Sequence, residues 1–374
     1  MKRVIANAFL LIAAGTVYLI LSHLSYGAVS AEAMFRANLE RTGVYKTQGI
    51  RRLHGVQWKF KTERVIEAWF SSPSVSGDTV YFGSDDNYLY ALNGLTGELK
   101  WKFKTGDVVY SSPAIADGVV YVGSHDGSLY AVDAKTGEER WNFRTGYRVY
   151  SSPAVSEETI YFGSADMYLY AVEAATGKLL WKFKAGSWIL SSPAIADGTI
   201  YFGCWDAYLY AVDIATGHEK WRFKTGYRIL SSPAVVEGTV YFGSMDGIFY
   251  AVDTKSGQQR WRFKTNERIR SSPAIQNHTV YFGADDGQFY ALAVENGLEK
   301  WRIKTGGPII SSPSLADGIV YFGSADGHLY AVDAETGKRR WRFNAPLGWM
   351  RSSPAVANGM IYFGSDDGNL YALH

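Results

Sequence analysis

A forty-residue repeat is the feature of this sequence that most restricts its fold. Ser-Ser-Pro, Tyr-(Phe/Val)-Gly and (Leu/Phe)-Tyr-Ala recur eight times in the same order, and tryptophans recur with them at intervals of about forty residues. Self-similarity at this period is typical of repeat architectures, in which each unit packs on the next. The tryptophans of the series are Trp58, Trp101, Trp141, Trp181, Trp221, Trp261, Trp301 and Trp341.

Each repeat has the pattern of four short strands. Asp-Gly and Thr-Gly pairs separate the apolar runs, and these residue types suit tight hairpin turns. Four-stranded units of this length, repeated eight times, predict an all-β fold, an eight-bladed β-propeller of four-stranded antiparallel blades. In the second copy we predict strands A to D at residues 109–115, 119–124, 128–133 and 139–145.

The two ends of the repeat region predict how the ring closes. Residues 57–62 have the sequence of a strand D, whereas the chain ends on a strand C at residues 370–373. The last blade therefore lacks its outer strand and the first strand is spare. We predict that the N-terminal strand completes the eighth blade, so that residues 57–374 form the propeller and residues 32–56 form a lead-in segment.

The N-terminal residues have the composition of a targeting segment. Lys2 and Arg3 precede an apolar run from Val4 to Leu24, and small residues follow as far as Ala33. This pattern is typical of a secretory signal cleaved after residue 31 or 33, although about 20 apolar residues also suffice to span a bilayer. Residues 1–31 are therefore predicted to be a signal peptide or an N-terminal membrane anchor. Either one exports the propeller to the periplasm or another extracytoplasmic space.

Composition excludes several classes of protein. A single cysteine, Cys204, rules out a disulfide framework and a multi-cysteine metal centre. Apart from Lys2 and Arg3, 36 Lys and Arg balance 36 Asp and Glu, so the domain lacks the basic excess of a nucleic-acid-binding protein. The sequence also has no Gly-rich phosphate loop, nucleophile elbow or metalloprotease motif. We expect no nucleic-acid partner, no metal and no catalytic residue.

Variation among the repeats is greatest on one face of the predicted disc. The A–B and C–D turns are nearly uniform, whereas the D–A and B–C segments on the opposite face differ from blade to blade. Exposed aromatic and arginine side chains are typical of binding hot spots. The alternative is that these large side chains fill the central channel. The candidate binding residues are Trp69, Tyr110, Arg148, Tyr150, Trp188, Trp205, Arg228, Arg268, Arg270, Trp349 and Arg351.

Two uniform sets of charged residues each have two interpretations. Lys and Arg occupy almost all the outward positions of strands D, where cationic edges discourage strand-to-strand association; contact with anionic lipid is the alternative. An Asp occupies every B–C turn, and its uniformity favours a local turn role over a ring of cation ligands. These aspartates are Asp86, Asp126, Asp166, Asp206, Asp246, Asp286, Asp326 and Asp367.

One segment of the repeat resembles a known family. The run Ala131-Val-Asp-Ala-Lys-Thr-Gly-Glu-Glu-Arg-Trp141 resembles the tryptophan-docking motif of PQQ-type β-propeller repeats, and it recurs at residues 211–221 and 331–341. The resemblance covers residues 57–374, and residues 35–43 look like the lead-in of such proteins. It implies that the eight repeat tryptophans are structural docking residues. Its branches include quinoprotein dehydrogenases, which bind PQQ and calcium, and the non-catalytic, BamB-type scaffolds of outer-membrane barrel assembly.

The sequence departs from both branches. It lacks the length and blade insertions of the enzymes, and Cys204 is too isolated to form their adjacent-cysteine disulfide. It also lacks the lipid-attachment cysteine of the scaffolds. We expect a monomeric, exported, non-catalytic scaffold that binds envelope proteins and needs no cofactor. The alternatives are a small quinoprotein that binds PQQ through Trp188, Arg228 or Arg268, and a glycan-binding sensor.

Overall fold

The chain forms eight antiparallel sheets arranged in a ring. A computed structural model describes residues 31–63, 71–345 and 348–374, and in these ranges all regular secondary structure is β-strand. Seven sheets have four strands each. The remaining sheet, which is the second blade along the chain, has a fifth strand that the lead-in contributes. Each sheet is one blade. The predicted eight-bladed propeller is confirmed.

The strands are numbered along the chain, and blades 1 to 7 take four consecutive strands each, starting from β3. Blade 8 consists of β31, β32 and β33 together with β2. The lead-in and blades 1 to 4 contain β1 (Ala31–Ala33), β2 (Val56–Lys61), β3 (Ser74–Ser76), β4 (Thr79–Gly83), β5 (Tyr88–Asn93), β6 (Leu99–Lys104), β7 (Ala114–Ala116), β8 (Val119–Gly123), β9 (Ser128–Asp133), β10 (Glu139–Arg144), β11 (Ala154–Ser156), β12 (Thr159–Gly163), β13 (Tyr168–Glu173), β14 (Leu179–Lys184), β15 (Ala194–Ala196), β16 (Thr199–Gly203), β17 (Tyr208–Asp213) and β18 (Glu219–Lys224). Blades 5 to 8 contain β19 (Ala234–Val236), β20 (Thr239–Gly243), β21 (Ile248–Asp253), β22 (Gln259–Lys264), β23 (Ala274–Gln276), β24 (Thr279–Gly283), β25 (Gln288–Ala293), β26 (Glu299–Lys304), β27 (Ser314–Ala316), β28 (Ile319–Gly323), β29 (His328–Asp333), β30 (Arg339–Asn344), β31 (Ala355–Ala357), β32 (Met360–Ser365) and β33 (Asn369–Leu373).

The innermost strands, A, are shorter than the sequence predicts. The A strands contact one another around the ring, and β31 of blade 8 contacts β3 of blade 1. In blade 2 strand A is β7, which has three residues, so the prediction of residues 109–115 was wrong at its N-terminal end. Pro113 has no N–H that could donate to a strand ladder. The N–H of Ser112 donates to the Ser152 hydroxyl in the next blade and not to β8.

The second serine of each Ser-Ser-Pro motif links neighbouring blades. Its backbone N–H donates to the side-chain hydroxyl of the equivalent serine in the next blade at 2.9–3.0 Å. The bond from Ser353 to Ser72 closes the circle. Eight hydrogen bonds therefore run head to tail around the channel, which explains why the motif is uniform. The serines are Ser72, Ser112, Ser152, Ser192, Ser232, Ser272, Ser312 and Ser353.

The repeat tryptophans join the blades farther from the axis. The indole N–H of Trp101 donates to the carbonyl of Ala134 in the next blade at 3.0 Å. Gly137 of the same turn has a φ of +75°, and a Cβ there would lie 2.8 Å from the Trp101 ring. The equivalent indoles make the same kind of bond in the other blades. The Thr-Gly turn is therefore the platform on which the preceding blade's tryptophan lies.

The N-terminal strand closes the ring as predicted. Strand β2 pairs with β33 as strand D of blade 8, with Trp58 opposite Ala372, and the Trp58 indole donates to the Gly94 carbonyl of blade 1 at 2.8 Å. Blade 8 has no C–D turn of its own. The carbonyl of Ile50 in the lead-in takes the place of that turn and accepts the indole N–H of Trp341 at 2.8 Å.

The lead-in segment occupies the central channel, a position that the sequence did not predict. Strand β1 pairs with β7 on its inner edge. The lead-in then crosses the inner ends of blades 4 to 7, where its backbone carbonyls accept the N–H groups of strands A at 2.9 Å. These bonds join Leu39 to Ile195, Glu40 to Val235, Thr42 to Ile275 and Gly43 to Leu315.

Two buried arginines fix the lead-in inside the channel. Arg36 and Arg41 are only 2% and 1% exposed. Arg41 donates to the carbonyls of Pro193 at 2.6 Å and Ser152 at 3.1 Å, and Arg36 donates to the carbonyls of Pro273 and Pro313. Burial lowers the pKa of Arg36 to about 10 and that of Arg41 to about 9, so both stay protonated at neutral pH. Several carbonyls per guanidinium offset the cost of burying the charge.

Adjacent serines test the circle of hydrogen bonds. Ser152→Ala leaves the buried N–H of Ser112 without its acceptor, and we expect it to lower the free energy of unfolding by about 1–3 kcal/mol. Ser151 is its matched control, because within the described ranges its buried hydroxyl has no hydrogen-bond partner. Ser151→Ala should change stability by less than about 0.5 kcal/mol. Urea unfolding measures both, and equal losses would contradict the role given to the second serine.

Two glycines with the same backbone conformation test the tryptophan platform. Gly137 and Gly118 have φ values of +75° and +69°, but only Gly137 faces an indole, that of Trp101; nothing lies within 4 Å of a Cβ on Gly118. Alanine at either position costs about 1 kcal/mol for the left-handed conformation. We expect Gly137→Ala to cost clearly more than Gly118→Ala in urea unfolding and to shift the tryptophan fluorescence. Identical losses and unchanged spectra would mean that the indole contact adds nothing.

Candidate functional site

In blades 2 to 8 the variable positions are brought together by one backbone hydrogen bond. The N–H of the residue after the Ser/Cys/Ala at the end of strand B donates to a carbonyl in the D–A segment: Trp205 to Trp188 at 3.0 Å, and Met245 to Arg228 at 2.9 Å. The neighbouring apolar residue, Ile189 in blade 4, is fully buried. Each of blades 2 to 8 therefore presents two adjacent, freely variable side chains on one face, which we call the variable face.

Aromatic rings and an arginine form a continuous cluster on this face. Trp188 and Trp205 are stacked with their centroids 4.8 Å apart. The Arg228 guanidinium lies 4.1 Å from the Trp205 centroid and 5.3 Å from that of Tyr227, and Tyr147 lies 6.2 Å from Trp188. Three consecutive D–A segments therefore contribute side chains to one surface. With Arg148, these five residues are called the aromatic–arginine cluster below.

A second group of rings extends the cluster towards blade 2. Arg148 lies over Tyr147 at 5.6 Å and its Nη1 donates to the Tyr150 hydroxyl at 3.4 Å. The His125 ring lies 4.0 Å from Tyr150 and 4.6 Å from Tyr110, between their centroids. Sequence analysis did not select His125. The signal was available, because residue 125 occupies the same repeat position as Trp205.

The electrostatics of this surface combine free cations with a neutral imidazole. Burial, reinforced by the nearby Arg148 charge, lowers the pKa of His125 to about 4, so the imidazole is uncharged at pH 7. Contact with the Tyr150 hydroxyl raises the pKa of Arg148. In the described part of the chain, Arg148 and Arg228 contact rings and form no ion pair. No carboxylate among the described residues therefore compensates the charge of either guanidinium.

The remaining candidate residues lie on other blades. Arg270 pairs with Asp285 at 2.9 Å, and Arg351 pairs with Asp366 at 3.3 Å while lying 4.6 Å over Trp349. Burial raises the pKa of Asp285. These arginines are compensated locally, unlike those of the cluster. Arg268 is exposed on the D–A segment after that of Arg228, and Trp69 lies outside the described residues.

The aspartates of the B–C turns have a structural role. Asp126 accepts the N–H groups of Gly106 and Ser128 at 2.7 and 2.8 Å and the hydroxyl of Tyr130 at 2.7 Å. Aspartates of other blades make the same contacts. Within residues 31–63, 71–345 and 348–374, no group of three or more His, Cys, Asp or Glu is placed to hold a metal ion.

Many cations of the outer strands are paired. Arg140 pairs with Asp133 at 2.7 Å, and Arg260 pairs with Asp253 at 2.6 Å, each to a carboxylate at the end of its own blade's strand C. Lys100 pairs with Asp78 of its blade's A–B turn at 2.6 Å. This pairing reduces the charge that the rim offers to anionic lipid and supports the interpretation of strands D as protected edges.

The stacked rings at Trp205 leave no open slot for a planar cofactor such as PQQ at that point. A planar quinone needs an open slot beside a ring and free cations for its carboxylates. Trp205 is already stacked against Trp188 and covered by Arg228, so the rings leave no slot at that point. Cys204 is fully buried, and its thiol lies within hydrogen-bonding distance of the carbonyls of Ser187 and Trp188. Burial raises the pKa of this thiol to about 12.

Comparison with known proteins places this architecture in a family. The family model described as outer membrane protein assembly factor BamB matches residues 52–166, 145–262, 205–316 and 304–374. The chain belongs to this family. No curated protein matches this chain significantly.

Solved structures share the fold at low sequence identity. BamB from Moraxella catarrhalis has a TM-score of 0.73 and 18% identity, over 86% of this chain and 99% of that one. The quinohemoprotein alcohol dehydrogenase from Comamonas testosteroni has a TM-score of 0.78 and 16% identity, over 92% and 80%. The computationally designed Ika8 protein gives 0.75 and 20%, over 84% and 98%. These similarities show the propeller fold, which an assembly factor, an enzyme and a designed protein share.

Among the described residues there is no helix of the length and apolar character needed to cross a membrane. The predicted signal peptide or anchor at residues 1–31 lies almost wholly outside these residues, and only Ala31 is included, as the first residue of β1.

The low pKa of His125 predicts a pH dependence of stability. Its pKa in the folded protein, about 4, is below the ordinary 6.5, so between these values the unfolded chain binds the extra proton. The free energy of unfolding should therefore fall as the pH drops from 6.5 to 4. His125→Gln should weaken that fall in urea titrations, and NMR should show the imidazole of the wild type titrating near pH 4. A pKa near 6.5 would contradict the burial of this ring.

Proposed function

We propose that this protein is an exported, non-catalytic scaffold that binds other envelope proteins through the aromatic–arginine cluster, without PQQ or another cofactor. Membership of the family described as an outer membrane protein assembly factor supports this proposal. The observation that carries it is the continuous contact from Tyr147 through Trp188 and Trp205 to Arg228, built by three successive D–A segments.

The chemistry of the cluster suits a protein partner. Tyr, Trp and Arg are enriched among the residues that contribute most to binding at protein interfaces. Arg148 and Arg228 are oriented by rings, which leaves their charge for carboxylates of the partner. Tyr147 and Tyr227 are each 46% exposed, so a partner that covers this surface would bury aromatic side chains. An acidic surface with apolar side chains between its carboxylates would be complementary.

Site-specific photo-cross-linking in intact cells tests the proposal. A photoreactive phenylalanine analogue replaces Tyr227, beside Arg228, or Leu298, an exposed residue of a C–D turn on the opposite face. We expect Tyr227 to give adducts with envelope proteins and Leu298 to give none of these adducts. The adducts should disappear when Trp188→Ala and Arg228→Ala are added, because these changes remove the centre of the cluster.

The competing functions have their own readouts in the same protein. Adducts that persist in the Trp188→Ala/Arg228→Ala variant, or that form equally from Leu298, would contradict the proposed surface. The purified protein titrated with PQQ and calcium should show no change in absorbance, and sugars should leave its tryptophan fluorescence unchanged. A saturable change with either ligand would replace the scaffold by a quinoprotein or a glycan-binding propeller.

A further inference from the structure

The chain enters the central channel from one identifiable side of the disc. Strand β1 is antiparallel to β7, with Ala31 opposite Ala116 and Ala33 opposite Ile115. Ala116 is the last residue of strand A, directly before the A–B turn at Asp117. Ala31 therefore lies at the end of the channel surrounded by the A–B and C–D turns. We call this side the turn face; it is opposite the variable face.

The lead-in leaves the channel by the same side. Val44 forms a parallel bridge with Leu315, so the chain there runs in the direction of strand A, towards the A–B turn. Arg51 then pairs with Asp317 of that turn at 3.1 Å. Residues 31–51 therefore form a hairpin-shaped plug with both ends at the turn face.

The plug cannot slide through the channel. The guanidinium groups of Arg36 and Arg41 are bonded to carbonyls of the proline segments that precede strands A, on opposite parts of the ring. Gly43 passes Arg36 so closely that a Cβ would lie 2.4 Å from its Nη2. The point at which the preceding residues reach the propeller is therefore fixed at the turn face.

A short connection joins that point to the apolar run. The run ends at Leu24, seven residues before Ala31, and seven residues span at most about 25 Å when fully extended. The strands that separate the two faces have up to six residues, which corresponds to about 20 Å. A bilayer that holds the run therefore has the turn face within reach, whereas the variable face is one strand length farther away.

The two faces also differ in the kind of large side chain that they expose. Leu95, Leu180 and Leu298 are 61%, 49% and 66% exposed at or beside C–D turns. On the variable face the large exposed side chains are mainly aromatic and include Tyr227 and Trp349, at 46% each, beside Met167 at 38%. Leucine is favourable in hydrocarbon, whereas exposed aromatics are typical of protein interfaces. The turn face thus has the chemistry for a lipid surface, and the variable face has the chemistry for a protein.

We infer that the turn face lies against the membrane that holds the apolar run, and that the variable face points away from it. The inference rests on the proposed export with the run retained, and it is independent of the partner's identity. Carboxylates such as Asp117, Asp197 and Glu237 in the A–B turns repel anionic headgroups. The charge of the turn face therefore does not attract it to the membrane. The connection at Ala31 sets the orientation, and Leu95, Leu180 and Leu298 make the contact with lipid.

Energy transfer from each face to a lipid surface tests this orientation. The full chain, residues 1–374, is reconstituted into phosphatidylcholine vesicles that contain a headgroup-labelled acceptor. The donor is attached at Leu298→Cys on the turn face or at Tyr227→Cys on the variable face. Cys204 is fully buried, so labelling is selective. We expect the Tyr227 donor to lie about 20 Å farther from the acceptors than the Leu298 donor, one strand length.

Two results would overturn the inference. One is an equal distance for both donors or a shorter one for Tyr227. The other is a mature envelope protein whose mass shows that residues 4–24 have been removed. Neither result bears on the adducts expected from Tyr227 in cells, so failure of the orientation and failure of the scaffold function are distinguishable. Leu95→Ser/Leu180→Ser serves as a second measurement, and it should lengthen the Leu298 distance without reversing the order of the two faces.

Discussion

The structure depends on the hydrogen bond that each blade makes to the next at the second serine of Ser-Ser-Pro. A single blade of four short strands buries too little apolar surface to be stable alone. The bond from Ser112 to Ser152 and its seven equivalents make every blade a donor on one side and an acceptor on the other. Such a set is complete only when the ring is closed. Strand β2 with Trp58, and the Ile50 carbonyl that accepts Trp341, join blade 8 to its two neighbours and so complete the ring.

The lead-in provides hydrogen-bond partners for backbone groups that the closed ring leaves facing its channel. Eight A strands leave a channel into which backbone N–H and carbonyl groups project, and unpaired polar groups of this kind are costly when buried. The lead-in carbonyls accept the N–H groups of Ile195 and Val235, and Arg41 donates to the proline carbonyls. The lead-in thereby occupies the channel from the turn face.

Much of the fold follows from the sequence, because the repeat makes one local pattern visible eight times. Blade number and ring closure needed only the spacing of motifs and the missing last strand. The path of the lead-in was not predictable, since Arg36 and Arg41 bind carbonyls more than a hundred residues away, and backbone acceptors leave no pattern in a sequence. For the same reason strand A was predicted too long. The Ser112 N–H was assigned to the ladder and not to the next blade.

The candidate site shows how repeated structure permits local variation. Trp188 and Trp205 belong to different turns, but one backbone bond holds them together, and the equivalent bond in the next blade holds Arg228 beside Met245. The bond uses only main-chain atoms, so side chains at these positions change without affecting the core residue between them, such as Ile189. Sequence variation thus identified the face. Which of its residues touch, and that His125 joins them, depended on distances between blades that only the assembled ring defines.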